Sequence, residues 1–132
     1  MKIASVIARF LLSLIFLIFG LNGFLHFLPM SPPPSGTAAQ FFGALFISNY
    51  LVVIFLLQIV SAILLLLNRY VPLALTLLAP IIVNILLIHI LMAPSGMPLA
   101  IVVTVLWSVV FLSVRSAFGG LLQQRVPAEA LR

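Results

Sequence analysis

Two histidines and three carboxamides sit inside or at the ends of long apolar runs: His26 and His89, and Asn22, Gln58 and Asn84. Histidine is the side chain whose charge changes near neutral pH. A pair of histidines could accept a proton from a quinol, ligate a haem axially or hold a metal. Copper and zinc want further ligands. The chain has no Cys and one acidic residue, Glu129 in its tail, so no metal is assigned. The ordinary alternative is a ring bonded to a carbonyl at the edge of the apolar phase. Amides and hydroxyls in apolar surroundings commonly bond across helices and hold them in register. That is the structural reading of Gln58, Thr104 and Ser108. Asn22 and His26 are four apart, hence on one helix face. Asn84 and His89 are five apart, about 140° around a helix, and share a face only loosely.

Composition says what surrounds these groups. Of 132 residues, 65% are hydrophobic and 5% charged. A soluble domain carries about 25% charged residues. This excludes an ordinary soluble enzyme, a disordered chain and a nucleic-acid-binding domain, and leaves an all-α integral membrane protein. Without cysteine there is no disulfide, thiolate site or cysteine nucleophile. No catalytic constellation stands out, so the chain is not expected to be an enzyme on its own. The net charge of +5 reads as orientation and contact with anionic lipid headgroups, not as nucleic-acid binding. The apolar start imitates a signal peptide, but no small-x-small site follows, so a retained first helix is expected.

Four spans of about 20 residues fit the length. The first is residues 10–28, with 1–8 continuing the helix into the headgroups. Residues 29–36 hold four prolines in eight positions and cannot be helix. They form a loop expected to roof the polar cluster. Residues 37–67 are too long for one span, and Asn49-Tyr50 divides them. This gives a short interfacial helix over 37–47 and a span over 49–67. Asn68-Arg69-Tyr70 is a tight turn. Span three covers 71–92, with Pro72 acceptable in its first turn and Pro80 expected to kink the helix and free the carbonyl of Thr76. Span four covers 99–115, Gly119-Gly120 ends the helix, and 121–132 is a short tail. Gly20 and Gly23 allow close backbone approach, and Ala100, Thr104 and Ser108 form a small-residue face. The expected fold is a polytopic membrane four-helix bundle in one domain, residues 1–120.

With four spans, Lys2, Arg9, Arg69, Arg115, Arg125 and Arg132 all fall on one side. The positive-inside rule puts both termini in the cytoplasm. The polar candidates then lie towards the outer leaflet.

Phe19-Gly-Leu-Asn-Gly-Phe24, Gln58 followed by Ser61-Ala62 and a leucine run, the Asn68-Arg69 turn, Val71-Pro72-Leu-Ala, and Asn84…His89…Pro94 together resemble the DoxX family of small bacterial four-helix membrane proteins. The similarity runs from about Ile3 to Phe118. It implies an inner-membrane protein associated with redox systems such as thiosulfate–quinone oxidoreduction. Many relatives have Lys where Asn22 stands and Glu where Gln58 stands. The neutral amides here disfavour an ion pair or carboxylate relay and suit hydrogen bonding to a neutral ligand such as a quinone head. The leading expectation is an accessory redox subunit with no cofactor of its own. It would offer Asn22, His26, Gln58, Asn84 and His89 to a quinone-type ligand, beside membrane or periplasmic redox partners. A scaffold that anchors other proteins comes next and a small transporter third. Self-association is compatible with all three.

Overall fold

The computed structural model describes residues 2–29 and 33–131, so 30–32 of the proline segment lie outside the described residues. The chain forms five α-helices: α1 Lys2–Leu25, α2 Gly36–Ile47, α3 Tyr50–Leu66, α4 Val71–Leu91 and α5 Met97–Val114. A 3-10 turn, Pro94–Gly96, leads into α5, and a 3-10 segment, Arg115–Leu122, follows it. The described residues contain no strand.

Four helices pack as a closed ring: α1 lies against α3 and α5, and α4 lies against the same two. Leu12 and Phe16 of α1, Leu65 of α3, Leu75 and Leu78 of α4 and Val110 of α5 are almost fully enclosed. Ile18, Val60, Val83 and Val105 instead point outward. Such an apolar exterior suits lipid. Three helices are long and apolar enough to cross a membrane, or four if the bent pair α2–α3 counts as one span.

Glycine sets the closest packing. A Cβ on Gly20 would lie 2.8 Å from Ile59 of α3, and one on Gly23 would overlap the Phe55 ring. Both positions need the missing side chain for α1 to approach α3, as the sequence suggested. Phe24 completes this seam edge-on to Phe55 at 6.1 Å.

Asparagine sets the reversals. Asn49 adopts a left-handed conformation, φ 61°, between α2 and α3, which meet at 85°. Asn tolerates that region better than most residues. Asn68, φ 53°, closes α3: its amide reaches the Leu65 carbonyl at 3.2 Å and the Arg69 amide reaches Leu64 at 3.0 Å. This double bond pattern satisfies two of the carbonyls that a helix end leaves open. Arg9 of α1 also donates from Nη1 to the Leu65 carbonyl, tying the start of α1 to the end of α3. Here Ser5, Arg9, Asn68 and Ser113 line a small cavity of about 200 Å3, so the start of α1, the α3–α4 turn and the end of α5 meet at one end of the ring, and Lys2, Arg9, Arg69 and Arg115 lie on those segments.

Three boundaries differ from expectation. α5 begins at Met97 and not at 99, directly behind the Pro94–Gly96 turn. α1 ends at Leu25 and not at 28, because the chain turns at His26. The α-helix of span four ends at Val114, before the Gly119-Gly120 pair, and tightens to 3-10 geometry through both glycines. Val114 leaves helical geometry, φ −121° and ψ 15°, and at this break the chain bends so that Phe118 rests on Phe111 at 5.0 Å, where Trp107 also stacks at 5.1 Å.

α4 runs on through Pro80. Next to the carbonyl that Pro80 cannot serve, the Leu75 carbonyl accepts a bond from Trp107 Nε1 at 3.0 Å. This links α5 to α4.

The glycine seam makes a direct prediction. Gly23→Leu must displace the Phe55 ring and should destabilise the fold by about 1–3 kcal/mol. Gly43→Ala, where a Cβ meets nothing within 4 Å, should not lower stability. Thermal unfolding of both variants in one detergent checks the contrast.

Candidate functional site

At the end of the ring away from the basic residues, the helices splay around a cavity of about 910 Å3. This lies within the usual range for small-molecule sites, about 300–1,000 Å3. Its wall comes from the end of α1, the first half of α3, the second half of α4 and the start of α5. The short helix α2 covers it with Phe41, Phe42, Leu45 and Phe46. Asn22, His26, Gln58, Asn84 and His89 all belong to the lining, and no described lining residue is Lys, Arg, Asp or Glu.

Sharing a cavity does not make these groups bond to one another. Asn22 serves the end of α1. Its backbone carbonyl accepts from the His26 amide at 2.9 Å, and its Oδ1 accepts from the Leu28 amide at 2.7 Å. Its Nδ2 donates back to the Leu28 carbonyl at 3.5 Å. One side chain thus holds the first turn of the chain beyond the helix.

His26 lies just past that end, in the left-handed region with φ 52°. The expectation that Asn22 and His26 share a face of one helix is corrected here: His26 is outside the helix, and the reversal that Asn22 anchors places its ring. The shared cavity has a different cause from helical spacing.

Asn84 Nδ2 donates to the carbonyl of Pro80, one turn back, at 2.9 Å. Its residue is exposed and lines the cavity. His89 Nδ1 lies 2.8 Å from the Ala93 carbonyl. A carbonyl only accepts, so Nδ1 is the donor in this bond. Gly96 lies against this ring, where a Cβ would overlap it. The bond and the glycine fix His89 at the end of α4. Asn84 and His89 meet the same cavity despite their angular offset because the cavity is wide where α4 ends.

Gln58 differs from these. It is 7% exposed and its Oε1 has no hydrogen-bond partner. One turn further on, Ser61 is fully buried and its hydroxyl is also unpartnered. Each such orphan costs about 1–3 kcal/mol. The expected structural role of Gln58, a bond across helices, is therefore absent. Thr104 and Ser108 also form no bridge: they donate to Ala100 and Thr104 carbonyls in their own helix, at 2.7 and 2.8 Å.

The roof is the other correction. The described part of the proline segment contributes no lining residue, whereas α2 supplies an aromatic cover. A run of Phe41-Phe42 and Phe46 with little polarity was the available signal. Tyr50, which divides the interfacial helix from span two, and Phe55 also belong to the wall. Among the described residues no three His, Cys, Asp or Glu side chains come together.

In comparisons with known proteins, no family model, curated protein or solved structure matches the chain.

Two local predictions follow from this geometry. Asn22→Leu removes the acceptor for the Leu28 amide and should cost about 1–2 kcal/mol, while Asn22→Asp keeps an acceptor there and should cost less. Gly96→Ala should be destabilising in the wild-type background and nearly neutral in a His89→Ala background. A double-mutant cycle of unfolding free energies reads that coupling.

Proposed function

We propose that this chain is a four-span, DoxX-like protein of a bacterial inner membrane that holds a neutral, quinone-type small molecule in its outer-leaflet cavity. In this reading α1, α3, α4 and α5 each cross the bilayer, and α2 lies along the outer interface as a cover. α3 has 17 residues, at the short end of the spanning range. Both termini face the cytoplasm, since the basic residues gather at the opposite end from the cavity. The chain would act as an accessory subunit, because it has no redox side chain of its own. Electron-carrying partners would be separate membrane or periplasmic proteins, and a homo-oligomer is compatible with the fold.

The observation that supports this most is the single cavity lined by all five candidate side chains and by no described charged group. Such a site favours an uncharged ligand with an apolar body.

A second reading, a non-enzymatic anchor or scaffold, draws support from Asn22, Asn84 and His89. Each is bonded to nearby backbone, which is enough to explain its presence.

Ligand binding separates the two. A ubiquinone or menaquinone analogue should raise the melting temperature of the purified protein. Mass spectrometry of gently extracted protein should find a bound neutral molecule. His26→Ala and Asn84→Ala should reduce the shift. No shift with wild type, together with one stoichiometric protein partner that the histidine variants retain, would favour the scaffold.

A further inference from the structure

The end of the ring away from the large cavity collects positive charge without neutralising it. Arg9 is half-buried on α1, between the core residues Ala8 and Leu12. Its Nη1 bonds the Leu65 carbonyl. That bond fixes the guanidinium but leaves its charge in place, since a carbonyl is a dipole and not an anion. A charge drawn partly out of water wants a counter-charge. The one acidic side chain, Glu129, is exposed in the tail and is not part of the lining around Arg9. Lys2, Arg69 and Arg115 lie on the segments that meet here, so the surroundings add to the positive charge.

The guanidinium meets a space of matching size. Among the described residues, the enclosed side-chain atoms without a partner are Gln58 Oε1 and Ser61 Oγ, so no nitrogen of Arg9 is trapped in that way. Arg9 lines the cavity of about 200 Å3 with Ser5, Asn68 and Ser113. Ser5 and Ser113 give their hydrogens to the Lys2 and Val110 carbonyls of their own helices, at 3.0 and 2.6 Å. Asn68 closes α3 through its backbone amide, and its carboxamide is left to the lining. The donors offered to a ligand are therefore the N–H groups of Arg9 and Asn68. An arginine fork matches two oxygens of one phosphate. The space is smaller than the roughly 300 Å3 at which small-molecule sites usually begin, and suits a single anionic group. Arg9 also directly precedes the uncharged run 10–28, the depth at which lipid phosphates stand when such a helix crosses a bilayer.

We propose that the small cavity between the start of α1, the α3–α4 turn and the end of α5 is a phosphate site, in which Arg9 and Asn68 hold one phosphate group. The headgroup of an anionic phospholipid and a free phosphate present the same oxygens to it. Only the crossing of a bilayer by α1 is shared with the function proposed above. The large cavity plays no part, so this site and the quinone-type ligand fail separately.

The test measures dissociation constants of the full chain in a non-ionic detergent for dioleoylphosphatidylglycerol and for dioleoylglycerol, which lacks the phosphate. Wild type is compared with Arg9→Gln, Ser113→Leu and Arg125→Gln. Arg125→Gln removes the same charge as Arg9→Gln but lies outside the lining. Ser113→Leu keeps every charge and fills the cavity from α5, so it reads the site even if Arg9→Gln does not fold. Wild type and Arg125→Gln should bind the phospholipid equally and prefer it to the diacylglycerol. Arg9→Gln and Ser113→Leu should bind it about tenfold more weakly. A second arm adds inorganic phosphate, with chloride at equal ionic strength as its control. Displacement of the lipid by phosphate alone shows that the site takes phosphate from either source, and no displacement assigns it to the lipid headgroup. If wild type does not prefer the phospholipid, if Arg9→Gln and Arg125→Gln weaken it alike, or if Arg9→Gln or Ser113→Leu leaves the affinity unchanged, the phosphate site is overturned.

Discussion

Scarcity of charge is the constraint from which the rest follows. With 5% charged residues, the chain cannot solvate its helices with ion pairs or cover them with water. Each polar group must find a partner inside the protein, since hydrocarbon offers none. The molecule meets this requirement locally. Thr76, Asn84, Thr104 and Ser108 return their donors to a carbonyl one turn back. Asn22 and His89 serve the turns just beyond their helix ends. Among the described residues, two long links cross between helices through polar atoms: Arg9 to Leu65 and Trp107 to Leu75. Against that background the unpartnered Gln58 and Ser61 stand out.

The cavity is a consequence of how the ring is held at its two ends. At the basic end, Arg9 and the Asn68 reversal draw α1, α3 and α4 together, and only about 200 Å3 is left open. At the other end, Gly20 and Gly23 bring α1 and α3 into contact on one side. Gln58 of α3 and Asn84 of α4 instead line the open space. The left-handed Asn49 then turns α2 through 85° across the opening. A helix that contacts mainly α3 makes a cover that can yield to a ligand more easily than a member of the ring.

The sequence carried much of the helical layout because apolar run length and helix breakers report it directly. The expected spans 49–67 and 71–92 fall within one residue of α3 and α4 at each end. Asn49 and Asn68 announced their turns because asparagine suits left-handed backbone. The glycine seam was legible for a similar reason. The end of α1 was not, since apolarity continues to Leu28 while the backbone leaves the helix at His26. Stopping there depends on a side-chain bond from Asn22 to a residue six positions later, which no periodicity encodes. The break at Val114, where Phe118 comes to rest on Phe111, was equally hidden. Of the site, the five lining residues could be chosen by type and depth. Their bonding could not, because whether an amide faces a neighbour, its own helix or an empty space is decided by packing. The aromatic cover from α2 was missed because phenylalanine in an apolar run looks the same whether it faces lipid or a cavity.

The central claim is that the uncharged polar groups face an interior space at the end opposite the basic residues, and not the acyl chains. The chain has no cysteine, so single cysteines placed at Lys2 and at Asn84 can report sidedness without background. In sealed vesicles, a water-soluble, membrane-impermeant maleimide should label Lys2→Cys from one side and Asn84→Cys from the other. Labelling of both from the same side would contradict the claim, as would reaction of Asn84→Cys with a lipid-soluble reagent alone.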